Sequence, residues 1–111
     1  MPKIGIIRCQ QTEDECAGSI CFRVARQANQ AFEAIGRVEV VGFASCGGCP
    51  GKKALSRAKT MVESGARTIV FASCVARGTP NDFPCPFFAK MKKTVMRGLG
   101  PKIKFIDWTH R

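Results

Sequence analysis

The chain has 111 residues, 45% of them hydrophobic and 23% charged, with 18 Lys and Arg against 8 Asp and Glu for a net charge of +10. That length builds one compact domain, residues 1–111, and excludes two. The apolar content excludes intrinsic disorder, no apolar run approaches the ~20 residues of a membrane span, and the start of the chain lacks a signal-peptide pattern. A cytoplasmic protein with no membrane partner is expected.

In chain order, residues 3–8 read as a short strand with Ile4, Ile6 and Ile7 apolar, followed by a polar loop. From residue 20 to 35, Ile20, Val24, Ala28, Ala31, Phe32 and Ile35 recur at helical spacing, and Gly36 ends the run. Residues 38–44 form a second strand. Pro50 and Gly51 then open a helix with Ala54, Leu55, Ala58, Met61 and Val62 on one face, closed by Gly65. Residues 68–73 are a third strand, nearly continuous in apolar character. A Pro-rich connection leads to a third helix marked by Phe87, Phe88, Met91, Val95, Met96 and Leu99. Residues 102–107 are the last strand. Strands alternating with helices imply an α/β fold. The expected form is a small doubly wound, Rossmann- or flavodoxin-like domain: a four-stranded parallel sheet in order 2-1-3-4 with three helices.

Seven cysteines are the outlying feature of the composition. Their odd number and the missing export signal weigh against a disulfide framework, so metal binding or redox chemistry is the stronger reading. Cysteine is also a common core residue, and placement decides between the two. Cys9, Cys46 and Cys74 fall where the first three strands run out, and Phe-Ala-Ser-Cys recurs at residues 43–46 and 71–74. Cys49 and Cys85 lie in loops on the same rim, and the single histidine, His110, follows the last strand. Filler cysteines would scatter along strands and helix faces; Cys21, inside the first helix, does so, and Cys16 lies in the first loop. Ligands of open α/β sheets bind outside the carboxyl ends of the strands.

The segment Cys46-Gly47-Gly48-Cys49-Pro50-Gly51-Lys52-Lys53 is the densest signal. Two-residue spacing lets both sulfurs reach one ion, the glycines permit a tight turn, and the following helix and lysines favour thiolate. The segment is not a P-loop: Cys46 stands where the first Gly belongs, and Lys53 replaces the magnesium-binding hydroxyl. It is not a cysteine-phosphatase loop, because Lys52 replaces the phosphate-clamping Arg. A thioredoxin fold would need antiparallel strands after the motif, where another crossover follows here. Pro84 and Pro86 preset the backbone around Cys85, Thr79 and Pro80 stiffen the same loop, and Phe83, Phe87 and Phe88 are expected to cover the apolar side of the site. Basic residues are spread over all three helices and both termini with no recognised nucleic-acid motif, so a nucleic-acid partner is not expected. Arg8 and Arg77 flank the rim and leave a small-molecule or anion ligand open.

These residues resemble the CGGC-domain family. The match runs through Ile6-Ile7-Arg8-Cys9-Gln10-Gln11-Thr12-Glu13-Asp14, then Val41-Gly42-Phe43-Ala44-Ser45-Cys46-Gly47-Gly48-Cys49-Pro50-Gly51-Lys52-Lys53, Ala72-Ser73-Cys74, Pro84-Cys85-Pro86 and Thr109-His110, essentially the whole chain. The resemblance implies metal binding through cysteines and histidine, with Cys9, Cys16, Cys46, Cys49, Cys74, Cys85 and His110 in the pattern and Cys21 a local addition. It implies no particular reaction. Together the two readings point to a metal-binding protein with zinc as first choice and an iron–sulfur cluster as alternative. The ligands are drawn from Cys9, Cys46, Cys49, Cys74, Cys85 and His110. The competing reading is a thiol–disulfide redox protein or reductase built on Cys46 and Cys49.

Overall fold

The computed structural model describes residues 1–12, 16–78 and 84–110. Thr79, Pro80 and Phe83, and Glu13 and Asp14 of the first motif, lie outside the described residues. The strands are β1 (Lys3–Arg8), β2 (Glu39–Ser45), β3 (Thr68–Phe71) and β4 (Lys104–Ile106). The helices are α1 (Ser19–Gln27), α2 (Ala54–Glu63), α3 (Ser73–Ala76) and α4 (Phe88–Leu99). All strand pairs are parallel, as the alternation of elements leads one to expect, and the sheet order is β2-β1-β3-β4. The one-turn α3 adds to the three expected helices.

The two-residue period of a strand sorts its side chains to opposite faces, and both central strands use it. Ile4 and Ile6 of β1 and Val70 of β3, with Ala72 just beyond, pack with Cys21, Val24 and Ala25 of α1 and with Phe32. Ile7 of β1 and Ile69 and Phe71 of β3 face the other way, onto Ala58 and Met61 of α2 and Met91 and Val95 of α4. Phe71 meets Phe88 edge-on, with ring centroids 5.3 Å apart. The sheet is therefore covered by α1 on one face and by α2 and α4 on the other, the doubly wound arrangement.

Beyond shifts of a residue or two at strand ends, the elements depart from the sequence reading at three places. The run over residues 20–35 is not one helix. It ends at Gln27, where Ala28 turns left-handed at φ 57° and the Asn29 amide reaches back to the Val24 carbonyl at 2.9 Å, a Schellman-type stop. The Ala31 amide then donates to the Thr109 carbonyl of the C-terminal segment. A 3₁₀ turn, Gln30–Phe32, returns Ala31 and Phe32 to the same core, which preserves the periodicity without the helix. Pro50 and Gly51 do not open α2. Gly51 sits at φ 89°, outside the helical region, and the helix begins at Ala54. Finally, β3 stops at Phe71, and Ser73 and Cys74 begin α3 instead of ending a strand.

Candidate functional site

The sheet order brings the carboxyl ends of β2, β1 and β3 side by side, and the winding reverses between β1 and β3. Such a switch point leaves a crevice where connections depart in opposite directions. The Ala72 amide still pairs with the Ile7 carbonyl at 2.9 Å, so the two chains remain in register up to this point. Cys9, the first residue past β1, and Cys74, in the first turn of α3, meet there. The Cys9 amide donates to Cys74 Sγ at 3.2 Å. Cys85 is fastened to the same place by its own amide, which donates to the Val75 carbonyl at 3.0 Å. Cys9, Cys49, Cys74 and Cys85 line a single cavity of about 140 Å³, together with Gln11 and Thr12.

The Cys46–Cys49 pair diverges. Cys46 extends the β2 pairing, its amide bonded to the Arg8 carbonyl at 2.8 Å, and is only 6% exposed. The chain then turns through Gly47 at φ 82°, where a Cβ would stand 2.6 Å from Lys53 Cβ, so both backbone angle and space demand glycine. The Gly47 amide donates to Ser45 Oγ, and the Gly51 amide closes a turn onto the Gly48 carbonyl at 2.7 Å. Cys49 emerges exposed on the outer lip of the cavity. Cys46 does not line the cavity, but it is close enough that a negative charge on it raises the thiols of Cys9 and Cys85.

Burial pushes the Cys9 thiol above its ordinary value of 9.0; the Gln11 amide pulls the other way, and Cys74 and Cys46 add to the rise. Burial likewise pushes Cys85 up, opposed by the Phe87 amide and reinforced by Cys49 and Cys46. These are neutral thiols at neutral pH, held where mutual repulsion resists ionisation. A cation among them reverses that balance, because it favours the charged form of every neighbour at once.

Other sequence-selected residues stand apart from the cavity lining. His110 is 6% exposed and its backbone is held by Ser73, whose Oγ accepts from the His110 amide and donates to the His110 carbonyl. Cys21 lies on the α1 face with its Sγ 3.2 Å from Thr109 Oγ1. Cys16 offers its carbonyl to the Arg8 guanidinium. Arg8 is buried with its guanidinium 5.7 Å from the Phe43 ring, and the exposed Arg77 lies 4.5 Å over Trp108. Phe88 packs into the core and Phe87 lines a different groove, between α2 and α4. Among the described residues, no three His, Cys, Asp or Glu side chains form a ready-made metal-holding group, and all seven cysteines are free thiols. Gln11 and Thr12 also line the cavity; both lie in the first family motif but were not among the expected site residues.

A parallel α/β sheet whose switch point opens into a thiol-lined cavity defines a small cysteine-rich α/β protein. The family pattern described as "CGGC domain" matches residues 3–110, and the chain belongs to that family. It is 35% identical over 116 aligned positions to the uncharacterized protein MJ0582 of Methanocaldococcus jannaschii, covering 97% of this chain and 86% of the relative. It is also 33% identical over 60 positions to the uncharacterized protein MJ0766 of the same organism, covering 53% of this chain and 85% of that relative. No solved structure matches the chain significantly. Among the described residues no helix is long and apolar enough to cross a membrane.

Proposed function

We propose that this protein binds a thiophilic metal at the switch point of its sheet, through Cys9, Cys49, Cys74 and Cys85, with Cys46 and His110 as further donors. One observation supports this reading above the rest: cysteines from four separate segments line one small cavity. The donor set fits by chemistry. Four thiols match the all-sulfur sites of structural zinc and the Cys₄ sites of iron–sulfur clusters, and zinc is the first choice. Bound metal would stabilise the thiolates that burial now disfavours. Cys9 and Cys74 are held by the sheet and α3. Cys49, exposed on its glycine-flanked loop, supplies the adjustable donor that completes the set.

The test is native mass spectrometry with elemental analysis on anaerobically purified protein. The reading requires a bound zinc or iron–sulfur mass and protection of the cavity thiols from alkylation. Protein that stays metal-free after zinc addition and after reconstitution with iron and sulfide, with every accessible thiol reactive, overturns it. One observation favours the redox alternative, the exposure of Cys49 beside three further thiols. That reading requires metal-free protein with one fast-reacting thiol and a reducible disulfide.

A further inference from the structure

The net charge is not spread through the molecule. Residues 1–51 carry five basic and five acidic side chains, and the whole excess of +10 falls on residues 52–111. That half supplies both α2 and α4, which pack together on one face of the sheet. Between them runs a groove of about 470 Å³, inside the ~300–1,000 Å³ range of small-molecule sites. Its walls are largely apolar, with Leu55 from α2, Phe87 and Met91 from the α4 side, and Pro50. Phe87 is 37% exposed there. Two cations line it, Lys52 and Lys90, and the ion pair found among the described residues, Lys92 with Asp107, uses neither. Thr94, also in the wall, already donates its hydroxyl to the Lys90 carbonyl. The CGGC loop contributes to the lining, where Gly51 lies so near Met91 that a Cβ would stand 2.5 Å from the sulfur. Cys49 lines the thiol cavity and Pro50 and Gly51 line this groove, so consecutive residues of one loop serve the two.

We propose that the α2–α4 groove is a binding site for a small organic anion: an apolar body on Leu55, Phe87 and Met91, and a carboxylate or phosphate held by Lys52 and Lys90. Apolar walls with a few charged groups at defined points are the usual composition of ligand sites. Lysines serve as point-charge anion binders. The site stands on its own residues and does not depend on metal at the thiol cavity.

The experiment uses the full chain, isotopically labelled for amide NMR, with octanoate, octyl phosphate and octylammonium as probes in metal-free and zinc-treated samples. The two anions should perturb amides of residues 51–55 and 87–95 and leave the strands unmoved. Octylammonium should bind about tenfold more weakly or worse, since a hydrogen bond to a charged group is worth about that factor. The K52Q/K90Q double variant should lose about tenfold for octanoate and nothing for octylammonium. Equal binding of anion and ammonium overturns the proposal, as do perturbations scattered away from the groove. So does a short DNA oligonucleotide taking the same amides more tightly than either anion, which would make this face a polyanion surface. Binding in samples that hold no metal supports the groove irrespective of the thiol cavity.

Discussion

The Cys9 amide and the Cys74 sulfur are bonded across the sheet at 3.2 Å although 65 positions separate them in sequence. This contact spans the point where the winding reverses. It fixes the Cys74 side chain against the Cys9 backbone. The sulfur of Cys74 is thereby held at the end of β1, beside the cavity that both cysteines line.

Replacing Cys74 by Ser keeps a hydroxyl in place of the sulfur but removes a soft donor. Zinc affinity, measured by competition with a chromophoric chelator, is expected to fall by more than the about 10–100-fold typical of changes around a site's ligands. The Cys21→Ser variant is the matched control. Cys21 sits on the α1 face against Thr109, so zinc affinity should stay within a few-fold of the parent. Equal losses in both variants would remove the distinction between cavity and core thiols.

Metal uptake should be proton-linked. Cys9 and Cys85 have thiols raised by burial, so each releases a proton on binding, and affinity rises with pH through the neutral range. The metal-free fold should respond in the opposite sense. Folded-state values above the unfolded 9.0 for Cys9, Cys21 and Cys85 mean that the native state holds its protons more tightly. Their contribution to stability is complete below about pH 9 and is lost as pH climbs through the raised values. Urea unfolding under reducing conditions should show a falling midpoint at alkaline pH, and a rising one would contradict the burial of these thiols.

Ser73→Ala tests the knot that fastens the C-terminus. Ser73 Oγ accepts from the amides of Thr109 and His110 and donates to the His110 carbonyl, all buried. Truncation leaves these groups without their partner, each costing about 1–3 kcal/mol. The variant is expected to lose about 2–4 kcal/mol in denaturant unfolding. A loss under about 0.5 kcal/mol, the level of an ordinary surface change, would show that the C-terminal segment contributes little to the fold.

Gly47→Ala tests the turn of the CGGC loop. A left-handed conformation costs an L-residue about 1–2 kcal/mol, and the added methyl would meet Lys53 Cβ at 2.6 Å. We expect a destabilisation of about 1–3 kcal/mol with faster alkylation of Cys46, read by mass spectrometry on the intact protein.

Much of the fold was legible because the apolar period switches between two and 3.6 along the chain, and the alternation of strand and helix leaves few topologies. Two of the misplaced boundaries share a cause that no local pattern encodes. The Ala31 amide is taken by Thr109, and the Ser73 amide and hydroxyl are taken by Thr109 and His110. Each bond joins segments far apart in sequence, so the periodicity at residues 20–35 and the apolar run at 68–73 could not register it. For the site, strand-end position located Cys9 and Cys74, and flanking prolines drew attention to Cys85. The same rule brought in His110, whose backbone is drawn into the Ser73 knot. The charge imbalance between the two halves is legible by counting, whereas its gathering on one face of the sheet depends on the packing of α2 against α4, which no local pattern encodes.

Cys9, Cys49, Cys74 and Cys85 belong to four segments that become neighbours only when the crossovers joining β1, β2 and β3 have been made. A ligand held by all four therefore recognises that assembled part of the sheet and none of its single units, and capture becomes a clasp on folding itself. By mass action, free ligand at about a hundred times its dissociation constant adds about 2.7 kcal/mol to the native state. The melting temperature of this protein should then serve as a gauge of how much of that ligand its surroundings contain.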